Sequence, residues 1–213
     1  MPQSARLFVI SDGKGNAGRL LQTAMSLAPA IDGFILREKQ WTARQMWEWG
    51  TALLSAGFPP EKLIINDRLD VALALSIGGV HLAGHSLPPA AARTLVPPSM
   101  TLGVSVHSLE EGRAAVEAGA DYVLFGHIFP TPSKPGLPGR GLSALQEMAS
   151  RLSIPVIAVG GIQADNAADV FTTGCAGIAV ISAVMAADDP LEAAITLRRS
   201  IQPLPGKEDA PCC

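Results

Sequence analysis

An imidazole, a hydroxyl and a lysine fall close together in the stretch Phe125-Gly126-His127-Ile128-Phe129-Pro130-Thr131-Pro132-Ser133-Lys134. The apolar run from Tyr122 to Phe125 leads into it, as a strand delivering polar side chains to a loop. A histidine titrating near neutral pH can both take and give a proton, so His127 is the first candidate for acid/base chemistry. The same placement also suits a histidine packed at a strand end with its ring nitrogens satisfied by backbone.

A second group of residues could hold an anion. Val159-Gly160-Gly161-Ile162 and Val180-Ile181-Ser182-Ala183 each follow an apolar run, and glycines there let backbone N–H groups come close to a phosphate. Arg37, Lys39 and Lys134 could clamp a phosphate or carboxylate, arginine in bidentate fashion. Period-two spacing gives Arg37 and Lys39 one orientation if the strand continues through Lys39, and it turns Glu38 away towards a structural contact. The four histidines, His81, His85, His107 and His127, lie in one region of the chain. No thiolate or carboxylate-rich motif accompanies His81 and His85, so no metal site is expected.

These residues need a frame, and the chain supplies a repetitive one. Candidate strands span Arg6–Ser11, Gly33–Arg37, Lys62–Asn66, Gly79–Leu82, Thr101–Val106, Asp121–Gly126, Pro155–Gly160 and Gly177–Ser182. Helical segments alternate with them: Gly18–Leu27, Thr42–Ala56, Arg68–Ser76, Pro88–Leu95, Leu109–Ala118, Leu142–Arg151, Asn166–Thr173 and Pro190–Ser200. Eight of each in strict alternation predict an α/β fold, a single (β/α)8 TIM barrel over residues 1–202, with 203–213 as a tail. A 48% hydrophobic content with 5% aromatics suits parallel strands covered by helices. In such a barrel the ligand site lies at the C-terminal ends of the strands, where Arg37, Lys39, Asn66, Ser105, His127, Thr131, Gly161 and Ser182 all fall.

Composition narrows the partners. A net charge of −3 gives no electrostatic reason to expect nucleic acid or an anionic membrane. The first residues lack the pattern of a secretory signal, and no apolar run approaches the ~20 residues that cross a bilayer, so a cytoplasmic protein is expected. Cys175, Cys212 and Cys213 form no disulfide framework or CxxC spacing.

Several segments together resemble the thiamin phosphate synthase/TenI superfamily. They are Leu36-Arg37-Glu38-Lys39, Ile65-Asn66-Asp67-Arg68, Gly79-Val80-His81-Leu82, Gly103-Val104-Ser105-Val106-His107, Asp121-Tyr122-Val123-Leu124-Phe125-Gly126, Gly160-Gly161-Ile162 and Val180-Ile181-Ser182-Ala183. The resemblance covers about Leu7 to Ser200 and implies the barrel, a thiazole phosphate ligand and a homodimer, for which Trp41, Trp47 and Trp49 are candidate interface residues that could equally pack on their own helix.

Two activities divide that superfamily. The synthase uses magnesium to join a pyrimidine diphosphate to a thiazole phosphate. Its pattern has glutamine where this chain has Ile35, proline where it has His127, and a metal-binding aspartate where it has Ser86. With Asp67 alone, magnesium would be poorly held. Phe125-Gly126-His127-Ile128-Phe129, Lys134-Pro135-Gly136-Leu137-Pro138-Gly139-Arg140-Gly141 and Gly84-His85-Ser86 look closer to the TenI branch. That resemblance implies a thiazole tautomerase, a cofactor-free isomerase moving one proton in a carboxythiazole phosphate. His127 would shuttle the proton. Gly161, Ile181 and Ser182 would bind phosphate with Thr131 or Lys134, and Arg37, Lys39, Asn66 and Ser105 would face the carboxylate. A magnesium-dependent synthase and a non-catalytic thiazole-phosphate-binding regulator are the alternative expectations.

Overall fold

The structure, a computed structural model, describes residues 5–131 and 136–201. Lys134, Cys212, Cys213 and the expected 203–213 tail lie outside the described residues. Eight parallel strands close into a barrel in sequence order, with β8 pairing back onto β1. They are β1 (Arg6–Ile10), β2 (Gly33–Leu36), β3 (Leu63–Asn66), β4 (Gly79–Leu82), β5 (Thr101–Val106), β6 (Tyr122–Gly126), β7 (Val156–Val159) and β8 (Gly177–Val180). The helices between and after them are α1 (Ala17–Leu27), α2 (Ala43–Ser55), α3 (Leu69–Leu75), α4 (Pro89–Arg93), α5 (Leu109–Glu117), α6 (Gly141–Arg151), α7 (Ala167–Phe171), α8 (Ser182–Met185) and α9 (Pro190–Ile201). This is the expected (β/α)8 barrel.

Period-two alternation sorts each strand's side chains between two cores. Leu7, Val9, Phe34, Leu36, Leu63, Ile65, Val80, Leu82, Val123 and Phe125 pack outward with the helices. Phe8, Ile10, Ile35, Ile64, Tyr122, Leu124, Ile157 and Ala179 fill the barrel interior. Phe8 and Tyr122 stack there with centroids 5.7 Å apart and ring planes 10° from parallel. Two glycines make room for that pair: a Cβ at Gly33 would lie 2.4 Å from Phe8 Cδ1, and one at Gly103 would lie 2.4 Å from the Tyr122 hydroxyl.

Local chemistry sets the helix ends. Thr42 caps α2 in a reciprocal capping box with Gln45, and the Ser108 hydroxyl accepts from Glu111 N–H at the start of α5. The eighth strand is shorter than its sequence suggests. It stops at Val180, and Ser182 opens the short α8, which the sequence reading missed. β2 likewise ends at Leu36, so the pleat does not set the orientations of Arg37 and Lys39. Trp49 is buried and its indole N–H donates to the Ala17 carbonyl, which removes it as an interface residue, while Trp47 is 44% exposed. Cys175 is buried in the core, where burial pushes its thiol pKa up. No helix among the described residues is long and apolar enough to cross a membrane.

Arg198 of α9 closes the N-terminal end of the barrel. Its guanidinium donates to the carbonyls of Ala5 (2.7 Å) and Ala30 (3.0 and 3.2 Å) and pairs with Asp32 at 2.6 Å. The same Asp32 oxygen accepts from Leu7 N–H, so one arginine ties α9 to β1 and to the turn before β2. Arg198→Ala is expected to cost about 2 kcal/mol, because it leaves half-buried carbonyls without their donors. A urea midpoint measures the loss.

Candidate active site

A cavity of about 430 Å³ opens at the C-terminal ends of the strands, the position expected for a barrel ligand site. Arg37, Lys39, Asn66, Ser105 and Thr131 line it, together with His127, Gly161, Ile181 and Ser182. Every expected site residue except Lys134 is thus brought to one mouth.

His127 is only 7% exposed and sits directly after β6. Pairing of β6 with β7 continues past the strand ends through Ile128 N–H to Val159 O (3.0 Å) and Phe129 N–H to Gly160 O (3.1 Å). The segment from Leu137 to Gly141 folds back on this stretch. Arg140 N–H donates to His127 O, Gly141 N–H to Ile128 O, and Arg140 Nε to Gly126 O, while the Arg140 guanidinium lies 5.9 Å from the Phe125 ring centroid. The glycine-arginine run therefore straps the histidine loop in place. His127 Nε2 lies 3.3 Å from the Leu137 carbonyl, and Nδ1 is buried without a partner among the described residues. A carbonyl can only accept, so a neutral His127 carries its proton on Nε2. Its Nδ1 is left unprotonated.

The groups expected to hold an anion come from separate loops. Ser11, fully buried, accepts from Arg37 N–H at 2.8 Å and fixes the start of the second loop. Glu38 makes a structural contact although the strand stops short of it: it is 1% exposed and accepts from Gly13 and Gly15 N–H. In the seventh loop Gly160 and Gly161 have φ of +97° and +69°. A Cβ at Gly161 would lie 2.7 Å from Phe129 Cβ, so only glycine lets that backbone reach the pocket. Gly161 and Ser182 N–H groups have no acceptor among the described residues.

The interior holds a polar chain that sequence reasoning missed. His81, 2% exposed, approaches Ser105 Oγ with Nε2 at 2.8 Å and the Tyr122 hydroxyl with Nδ1 at 3.3 Å. Burial drops the His81 pKa to about 3 and pushes that of Tyr122 up, so both are neutral at pH 7. Alternation from Gly79 already turns His81 inward; the contact with Tyr122 depends on the barrel register between β4, β5 and β6.

The donor set does not make a protein-held cation site. No aspartate or glutamate lines the cavity, and no group of three histidine, cysteine, aspartate or glutamate side chains suited to a metal occurs among the described residues. Asp67 is directed to His85 Nε2 at 3.6 Å, and Ser86 Oγ accepts from Ala83 N–H.

Comparison with known proteins places this geometry. The family described as thiamine monophosphate synthase (TMP-TENI) matches residues 7–184. The thiamine-phosphate synthase of Chlorobium phaeovibrioides is 49% identical over 169 residues, covering 78% of this chain and 81% of that protein. That of Roseiflexus sp. is 43% identical over 191 residues, covering 86% and 80%. The solved thiamine phosphate pyrophosphorylase of Pyrococcus furiosus superposes with a TM-score of 0.81 at 36% identity, over 94% of this chain and 96% of its own. These relatives overturn the expectation of a thiazole tautomerase, since likeness along the whole barrel is to proteins bearing the synthase name. The local differences at Ile35, Ser86 and His127 do not outweigh it. The chain is an enzyme of the thiamine monophosphate synthase family.

Proposed function

We propose that the protein is a thiamine-phosphate synthase, a transferase that joins a pyrimidine diphosphate to a thiazole phosphate. The observation carrying this reading is that two anion-binding features line one cavity: the cations Arg37 and Lys39 after β2, and the backbone of Gly161, Ile181 and Ser182 after β7 and β8. Two phosphorylated substrates held in one cavity would use both. In the reaction a carbon–oxygen bond to diphosphate breaks and a carbon–nitrogen bond to the thiazole forms. Negative charge grows on the leaving diphosphate, and Arg37 and Lys39 with Asn66 are the groups we assign to it. We assign Gly161, Ile181, Ser182 and Thr131 to the thiazole phosphate. His127 lines the same cavity, its ring held by the Leu137 carbonyl.

The test is direct coupling by the purified protein, assayed with both substrates in the presence and absence of magnesium. Thiamine phosphate and inorganic diphosphate should appear in equal amounts. Arg37→Ala should raise KM for the diphosphate substrate about 10- to 100-fold, the usual worth of a hydrogen bond to a charged group. Absence of coupled product under both conditions would sink the reading.

A further inference from the structure

We infer that Tyr122 and His81 form a proton-ordered relay that fixes Ser105 as a hydroxyl donor to an anionic oxygen of the bound substrate. The reading rests on counting donors in the barrel interior. Tyr122 is 3% exposed, and its hydroxyl has one partner among the described residues, His81 Nδ1. Ser105 Oγ likewise has one, His81 Nε2. A neutral imidazole carries one N–H and offers one lone pair, so the chain can run in only two directions.

In the first, the tyrosine O–H donates to Nδ1, Nε2–H donates to Ser105 Oγ, and the serine proton is left to point elsewhere. In the second, Ser105 donates to Nε2, Nδ1–H donates to the tyrosine oxygen, and the tyrosine proton is stranded inside the barrel. An unpaired buried donor costs about 1–3 kcal/mol. The first arrangement avoids that cost, because its spare donor sits on Ser105, which lines the cavity. Gly103 makes the approach possible: a Cβ there would lie 2.2 Å from Tyr122 Cζ and 2.6 Å from His81 Nδ1. His81 and Tyr122 are accordingly positioning residues: Tyr122 does not line the cavity, and His81, which does, has both ring nitrogens turned to Tyr122 and Ser105. The synthase reading enters only in naming the anion as the substrate's diphosphate; the tautomer stands apart from it.

Two measurements decide the proposal. Long-range nitrogen–proton correlation spectra of the full chain without substrate should show His81 as the Nε2–H tautomer; the Nδ1–H tautomer would overturn the relay. Affinity for inorganic pyrophosphate, measured by calorimetry, should fall about tenfold in Ser105→Ala and in Tyr122→Phe, with little further loss in the double variant. Wild-type affinity in either single variant, or additive losses in the double, would overturn it as well. A fold that cannot tolerate Tyr122→Phe leaves the tautomer of the wild-type protein to decide. If the relay is seen and pyrophosphate binds while no coupled product forms, the synthase reading fails and the relay stands.

Discussion

Acidification from pH 7 to pH 4 is expected to destabilise the barrel by on the order of 3 kcal/mol through His81 alone. In the fold its pKa is pushed by burial from 6.5 down to about 3. Between those values the unfolded chain binds a proton at this residue that the folded chain does not. Stability therefore rises with pH across this window and is lost as pH falls below 6.5, with the loss complete near pH 3. Urea midpoints at both pH values measure the effect, and His81→Gln supplies the control. The variant starts less stable at pH 7, because a well-placed ring is lost from between Ser105 and Tyr122. Its further loss on acidification should be smaller by that same amount. Asp70, whose carboxyl is held low by the Arg68 guanidinium, adds an acid loss of the same sign, but it is present in both proteins and cancels in the comparison. Equal drops in wild type and variant would show that His81 is not the group being titrated.

The sequence makes the frame legible because alternation of short apolar runs with longer helical segments has few physical solutions. The expected site residues converge for the same reason: strand ends in a barrel share one mouth. Pairwise geometry was less accessible. His81 could be turned inward by counting from Gly79, yet its partner Tyr122 lies on the second strand over, and the register is fixed only when the barrel closes. α8 was missed because Gly177 to Ser182 reads as one apolar run, and no local signal separates its last residue from the strand. The tautomerase expectation failed differently. Ile35, Ser86 and His127 depart from the synthase pattern in one direction, but they are three isolated positions in a barrel-long likeness. In the structure Ser86 caps its own turn and His127 is held by the strap from Leu137 to Gly141, so both have packing explanations that say nothing of which reaction the pocket performs.

Gly126→Ala is expected to be the most damaging glycine-to-alanine change among the described residues. Gly126 pairs with Val159 across β6 and β7, and a Cβ there would sit 1.9 Å from the Val159 carbonyl oxygen. Backbone cannot yield as a flexible side chain would, so the two strands must separate. The nearest bond to fail is Ile128 N–H to Val159 O, which holds the residue after His127 against β7. The contact of Arg140 Nε with Gly126 O is disturbed with it. Overpacking of this severity costs about 3 kcal/mol or more. Activity should fall further than the folded fraction, since a displacement of about 1 Å near reacting groups commonly costs ~10²-fold in rate. Gly18→Ala in α1 is the matched control: an added Cβ meets nothing within 4 Å, and alanine there should be neutral or stabilising by up to about 1 kcal/mol. Denaturant midpoints and turnover per folded molecule, measured on both variants, separate the two losses. A Gly126→Ala protein as stable and as active as Gly18→Ala would mean that the β6–β7 spacing does not hold His127 in place.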